Sequence, residues 1–171
     1  GTRRGSAPSW PHLNSNLFVY DDRERCLWLH TARTGRLRDL VGEGPTKVTF
    51  SAAAMGRMLP ADEALEFSVE YAGVVVTGWA TVVDDPAEQT RVLQALLDRY
   101  APHLEAGEDY RPPVPEELER TAVYRVDIET WSGKEKVAEA DFPGAFSPRA
   151  SPPAAPAPPR SPPPGATARA P

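Results

Sequence analysis

One cysteine, Cys26, stands among 171 residues. A lone thiol can form neither an internal disulfide nor a cysteine metal site. It lies in an apolar run, so a buried, inert thiol is expected, and with it a reducing compartment, the cytoplasm. Histidine is almost as scarce. His12, His30 and His103 show no zinc-ligand spacing, so no metal is expected. No apolar stretch approaches the ~20 residues that cross a bilayer. None follows the opening Gly-Thr-Arg-Arg-Gly-Ser either, so neither a membrane span nor a secretory signal is expected. Basic charge is outnumbered, with 19 Lys and Arg against 24 Asp and Glu. Residues 1–142 carry 16 of the basic and all 24 of the acidic side chains. That balance argues against a nucleic-acid binder and leaves room for one local basic pocket.

Proline is plentiful but uneven: 11 of 20 fall in Pro143–Pro171. Beyond Phe146 there is no aromatic residue, and Pro, Ala, Ser and Arg dominate. Such a stretch buries too little apolar surface to offset its ordering entropy. The expected organisation is one domain over 1–146 and a disordered, Pro/Ala-rich tail over 147–171.

Within the domain, periodicity reads as mainly β with flanking helices. Leu13–Tyr20 and Cys26–His30 read as a hairpin around Asp21-Asp22. Lys47–Phe50, Leu65–Tyr71 and Val74–Val83 read as strands, with Gly78 marking a bulge. Ala52–Asp62 reads as a loop, its Met55 and Met58 as packing residues. Thr121–Trp131 alternates, with Ala122, Tyr124, Val126 and Ile128 on the inner face, and reads as a half-buried strand. Asp85-Pro86-Ala87-Glu88 has the residues that open a helix, and the apolar face of that helix runs to about Tyr100. A shorter helix is expected over Thr34–Leu40, capped by Thr34. Six or seven short strands with two helices suggest a β-barrel with helices at its flanks. Trp28 and Trp79 are expected in its core.

The segment from Leu27 to Leu40 carries the chemistry. An apolar strand ends at His30-Thr31, passes through a small turn with Gly35, and enters an arginine-rich stretch. Such a turn offers free backbone N–H groups, and Arg33, Arg36 and Arg38 add fork-shaped cationic donors. The combination suits a phosphate. Taken alone, His30 reads as a strand-end histidine and Arg36 and Arg38 as a solvated helix face. No nucleophile-elbow sequence accompanies the Ser, His and Asp residues.

The pieces Trp10-Pro-His-Leu-Asn-Ser-Asn-Leu-Phe-Val-Tyr-Asp21, His30-Thr-Ala-Arg-Thr-Gly-Arg36, Met55-Gly-Arg-Met-Leu-Pro60, Phe67-Ser-Val-Glu-Tyr-Ala-Gly-Val-Val-Val-Thr-Gly78 and Trp131-Ser-Gly-Lys134 together resemble the pyridoxamine 5′-phosphate oxidase-like family of flavin-binding split barrels. The resemblance implies a homodimer with FMN in a groove between subunits and hydride transfer through that flavin. It implies His30, Thr31, Ala32, Gly35, Arg36 and Arg38 at the phosphate end. It places Asn14 and Asn16, on the preceding strand, towards the ribityl chain or ring. It brings Trp131 and Lys134 from the partner subunit. Deazaflavin on the same barrel is an alternative cofactor. A non-catalytic flavin or haem carrier, or a degenerate interaction module, is an alternative role. Two departures stand out. Leu37 occupies the place where many relatives have Lys, and the helix and first strand that open relatives have no counterpart ahead of Trp10. The resemblance names no substrate and no electron donor.

Overall fold

A computed structural model describes residues 11–148, so the expected tail over 147–171 lies almost wholly outside the described residues. Five strands form one sheet: β1 (Phe18–Asp21), β2 (Cys26–Ala32), β3 (Thr46–Leu59), β4 (Ser68–Val83) and β5 (Thr121–Lys136). Their order is β1-β2-β5-β4-β3. β1 pairs antiparallel with β2, and β2 antiparallel with β5, Cys26 facing Asp127 and Ala32 facing Thr121. Three helices accompany the sheet: α1 (Arg36–Val41), α2 (Pro86–Tyr100) and α3 (Pro115–Leu118). Among the described residues no helix is long and apolar enough to cross a membrane.

Period-two alternation builds two cores, one on each face of the sheet. Leu27 on β2, Val76 and Ala80 on β4, and Ala122, Tyr124 and Val126 on β5 point inward, joined by Val41 of α1. The sheet is rolled around them. Phe18 of β1 and Phe50 of β3 belong to opposite edge strands, yet their rings meet edge to face with centroids 4.9 Å apart. The outward set, Cys26, Trp28, Val83 and Val123, lies under Val92 and Leu96 of α2. β5 is therefore buried on both faces over Ala122–Tyr124, and its outward face turns polar from Arg125 onward, as its alternation indicates.

α2 begins as its sequence indicates. The Asp85 carboxylate accepts from the Glu88 N–H at 2.9 Å, and Pro86 fills the first helical position, where no N–H is needed. Gln89, the one buried polar residue of the helix, donates Nε2 to the Val83 carbonyl at 2.7 Å. At the other end the Tyr100 hydroxyl donates to the Phe18 carbonyl at 3.0 Å and accepts its N–H at 3.3 Å. An edge strand is thereby given partners for backbone groups that could otherwise recruit another chain. Trp28 sits beneath Arg91 and Arg125, whose guanidinium carbons stand 5.0 and 5.3 Å from ring centroids.

Several expectations are corrected. The strands number five among the described residues. β3 runs on through Ala52–Leu59, where a loop was expected, and Leu65–Tyr71 and Val74–Val83 belong to one strand that starts at Ser68. Leu13–Leu17 lies outside any strand, so Asn14 and Asn16 sit on an irregular lead-in to β1. Gly35, not Thr34, caps α1. Trp79 is 36 % exposed, with the Lys47 ammonium 5.0 Å from its ring centroid. At Gly78 a Cβ would stand 2.1 Å from the Asp127 carbonyl oxygen, so glycine here permits close strand approach.

By contacts the chain divides into two units, residues 11–53 with 73–134 and residues 54–72 with 135–148. The second unit has its own polar clamp. Arg57 donates Nε and Nη2 to the two carboxylate oxygens of Glu70 at 2.9 and 2.6 Å, and Nη1 to the Ala140 carbonyl at 2.9 Å. Glu70 also accepts the N–H groups of Arg57 and Ala138. The Arg57 guanidinium and those N–H groups hold its pKa down to about 2.

Candidate functional site

Where β2 gives way to α1, the chain leaves the sheet through Arg33, Thr34 and Gly35. Gly35 has φ 132° and ψ 170°, a region that side-chain-bearing residues avoid. The turn lets α1 start at once, with Val41 buried in the inner core and Leu37 packed against it. The positions between these anchors are left facing a cleft of about 180 Å³ lined by His12, Asn14, Thr31–Ala32 and Thr34–Arg38.

Six of the ten expected site residues meet there: Asn14, Thr31, Ala32, Gly35, Arg36 and Arg38. None of the described residues lining the cleft is acidic. The Thr31 hydroxyl donates to the Ala32 carbonyl at 2.9 Å and lies 3.2 Å from the Tyr124 hydroxyl. Arg38 donates to the Gly42 carbonyl at 2.7 Å and pairs with Glu43 at 3.3 Å. Glu43 is 92 % exposed, so this ion pair is a weak, solvent-screened competitor for Arg38. Two guanidinium groups with a hydroxyl, in the absence of carboxylate, make a cleft suited to an oxyanion.

Four expected residues take other positions. Asn16 donates Nδ2 to the His30 carbonyl at 2.9 Å and so ties the lead-in to the end of β2. His30 is not among the residues that line the cleft. Its Nδ1 is buried without a hydrogen-bond partner, and burial lowers its pKa, which favours the neutral ring. Trp131 and Lys134 stand at the far end of β5. Thr31 faces Ala122 at the cleft end of that strand, and Trp131 follows nine residues later. At ~3.3 Å per residue the separation along the strand is roughly 30 Å. Trp131 is 64 % exposed there. Within one chain, then, these two residues do not join the cleft.

His12, Thr34 and Leu37 also line the cleft, although none was expected to bind there. His12 lies two residues ahead of Asn14 in the same matched piece, a nearness that could have drawn attention to it.

A rolled antiparallel sheet with a helix on its outer face defines a small antiparallel β-barrel. The sequence profile described as pyridoxamine 5′-phosphate oxidase matches residues 6–135, and the chain belongs to that family. No curated protein sequence matches it. Among solved structures it is similar to the flavocytochrome Anf3 from Azotobacter vinelandii, with 22 % identity and TM-score 0.64 over 95 % of this chain and 75 % of that one. It is also similar to the FAD and haem binding protein from Mycobacterium smegmatis, with 23 % identity and TM-score 0.58 over 66 % of this chain and 54 % of that one. A third likeness is to a putative 5-nitroimidazole antibiotic resistance protein from Bacteroides thetaiotaomicron, with 14 % identity and TM-score 0.53, covering 69 % of this chain and 64 % of that one. The chain thus spans about half to two thirds of the length of the last two. These likenesses establish a split-barrel fold.

Proposed function

We propose that the chain binds FMN, with the cleft as the seat of its phosphate, and that it is an oxidoreductase. The observation that supports this most is the gathering of Thr31, Gly35, Arg36 and Arg38 around a cleft without carboxylates. Arg36 and Arg38 would hold the phosphate, and Asn14 would orient the chain that leads from it. Bound flavin supplies hydride transfer at its ring, with oxygen or a nicotinamide as the other partner. Flavin is also named for two structural neighbours, a flavocytochrome and an FAD and haem binding protein. A deazaflavin with the same phosphate end is the alternative cofactor.

Size supports a homodimer. Cofactor pockets usually enclose roughly 300–1,000 Å³, and this cleft of about 180 Å³ would hold only one end of such a molecule. The rest must be covered by other protein. Trp131 and Lys134, remote within the chain, would serve from a partner subunit, Trp131 shielding the ring from water and Lys134 adding charge. A cytoplasmic setting belongs to the same proposal. It is supported by the one thiol, fully buried and with its pKa raised by burial to about 11.

Purified full-length protein tests the reading. Yellow protein whose acid-released cofactor has the mass of FMN supports it. Colourless protein that takes up neither added FMN nor deazaflavin overturns it. A Soret band with no flavin would instead favour a haem carrier, a role suggested by the haem of the Mycobacterium smegmatis neighbour.

A further inference from the structure

His12 has a ring nitrogen that the fold leaves unexplained. Its Nε2 is shut off from solvent and has no hydrogen-bond partner, although His12 lines the cleft beside Gly35, Arg36 and Arg38. A buried polar atom without a partner is costly, and native structures rarely keep one unless a ligand or an ordered water completes it. The surrounding segment points the same way. Leu13 and Leu17 are 93 % and 52 % exposed, while Asn14 lines the cleft together with His12. Burial of apolar surface would turn this segment over. It is held instead by a polar tie, from Asn16 Nδ2 to the His30 carbonyl at 2.9 Å. The segment therefore presents His12 and Asn14 to the cleft while its leucines stay exposed.

We propose that His12 is a phosphate-binding residue: its Nε2 carries the hydrogen and donates to an oxygen of a phosphate monoester, opposite in sequence to the guanidinium groups supplied by α1. The donor role follows from the company: Arg36 and Arg38 favour an anion in the cleft, and an anionic oxygen accepts. The inference rests on the proposed seat for the FMN phosphate and adds a ligand from a different part of the chain. The phosphate is then gripped from the lead-in as well as from α1, so ligand binding and ordering of residues 12–17 are coupled.

The test uses FMN and riboflavin, which differ only by the phosphate, with affinities read from quenching of flavin fluorescence. His12→Phe keeps a ring but removes the donor, and should weaken FMN by about tenfold or more while leaving riboflavin unchanged. His12→Gln restores a donor and should recover most of the loss. Equal losses for both flavins, or none for either, would overturn the proposal. A second measurement needs no variant: inorganic phosphate added to the wild-type protein should shift the imidazole nitrogen resonances of His12. Absence of that shift also overturns it. If neither flavin binds but phosphate moves His12, the flavin reading fails and the phosphate contact stands.

Discussion

Phe18 and Phe50 touch edge to face, at 66° and 4.9 Å, although their strands lie at opposite edges of the five-stranded order. That contact turns a sheet into a barrel. Truncating either ring to Ala should cost about 2–4 kcal/mol, less than a fully buried Phe because both are partly covered. The pair itself should be worth ~0.5–1.5 kcal/mol in a double-mutant cycle by chemical denaturation. Strict additivity would mean that the seam is not closed in solution.

Gly78 and Gly133 make opposite demands. A Cβ at Gly78 would meet the Asp127 carbonyl oxygen at 2.1 Å, backbone against backbone, which no rotamer change relieves. Gly78→Ala should destabilise by about 3 kcal/mol or more. A Cβ at Gly133 would find its nearest neighbour, the Gly73 carbonyl oxygen, at an ordinary 3.5 Å. Gly133→Ala should therefore change stability by no more than about 1 kcal/mol, with the unfolded chain losing some freedom. Thermal melts of the two variants check this; similar melting points would contradict it.

At Gly35 the limit is conformational rather than steric, since no atom lies within 4 Å of a built Cβ. Gly35→Ala should cost ~1–3 kcal/mol for holding φ at 132°. If the turn relaxes to avoid that strain, the cleft lining moves with it. Weaker FMN binding is then expected beyond the loss in stability, measured at a temperature where the variant remains folded.

Glu70 links acidity to stability. Its pKa is about 2 when folded against an ordinary 4.5, so the folded state binds the proton less readily than the unfolded chain. The stabilisation from Arg57 is fully present above pH ~4.5 and is lost as pH falls through about 2. Glu70→Gln should lower stability at neutral pH and flatten that part of the acid profile. Denaturation midpoints taken between neutral and strongly acidic pH would show it, and parallel profiles for wild type and variant would contradict it.

Where a local rule decides structure, the sequence was easy to read. Asp85, Pro86 and Glu88 fixed the start of α2, and its end at Tyr100 came from the apolar face and Pro102. The inner face of β5 followed from alternation at Ala122, Tyr124 and Val126. The continuation of β3 through Ala52–Leu59 was hidden because Ala53–Gly56 is exposed at every position, leaving no two-residue pattern. Strand pairing holds that stretch through the backbone, which leaves no mark on side-chain choice. The same is true of β5 beyond Trp131, where the strand continues to Lys136. At the candidate site, the gathering of Thr31, Gly35 and Arg36 at one cleft could be anticipated because they lie along one turn. The exclusion of His30 from the lining could not, because it depends on which side of β2 meets the cleft at its last residues.

The account depends on the cleft at the β2–α1 turn recognising a phosphate. Titrating the full-length protein in parallel with FMN and riboflavin, and repeating both with Arg36→Ala, tests this most directly. FMN should bind at least about tenfold more tightly than riboflavin, and Arg36→Ala should erase most of that margin, corresponding to ~1.5–3 kcal/mol for a charged hydrogen bond. Equal affinity for the two flavins in the wild type, or a margin that Arg36→Ala leaves intact, would contradict the account.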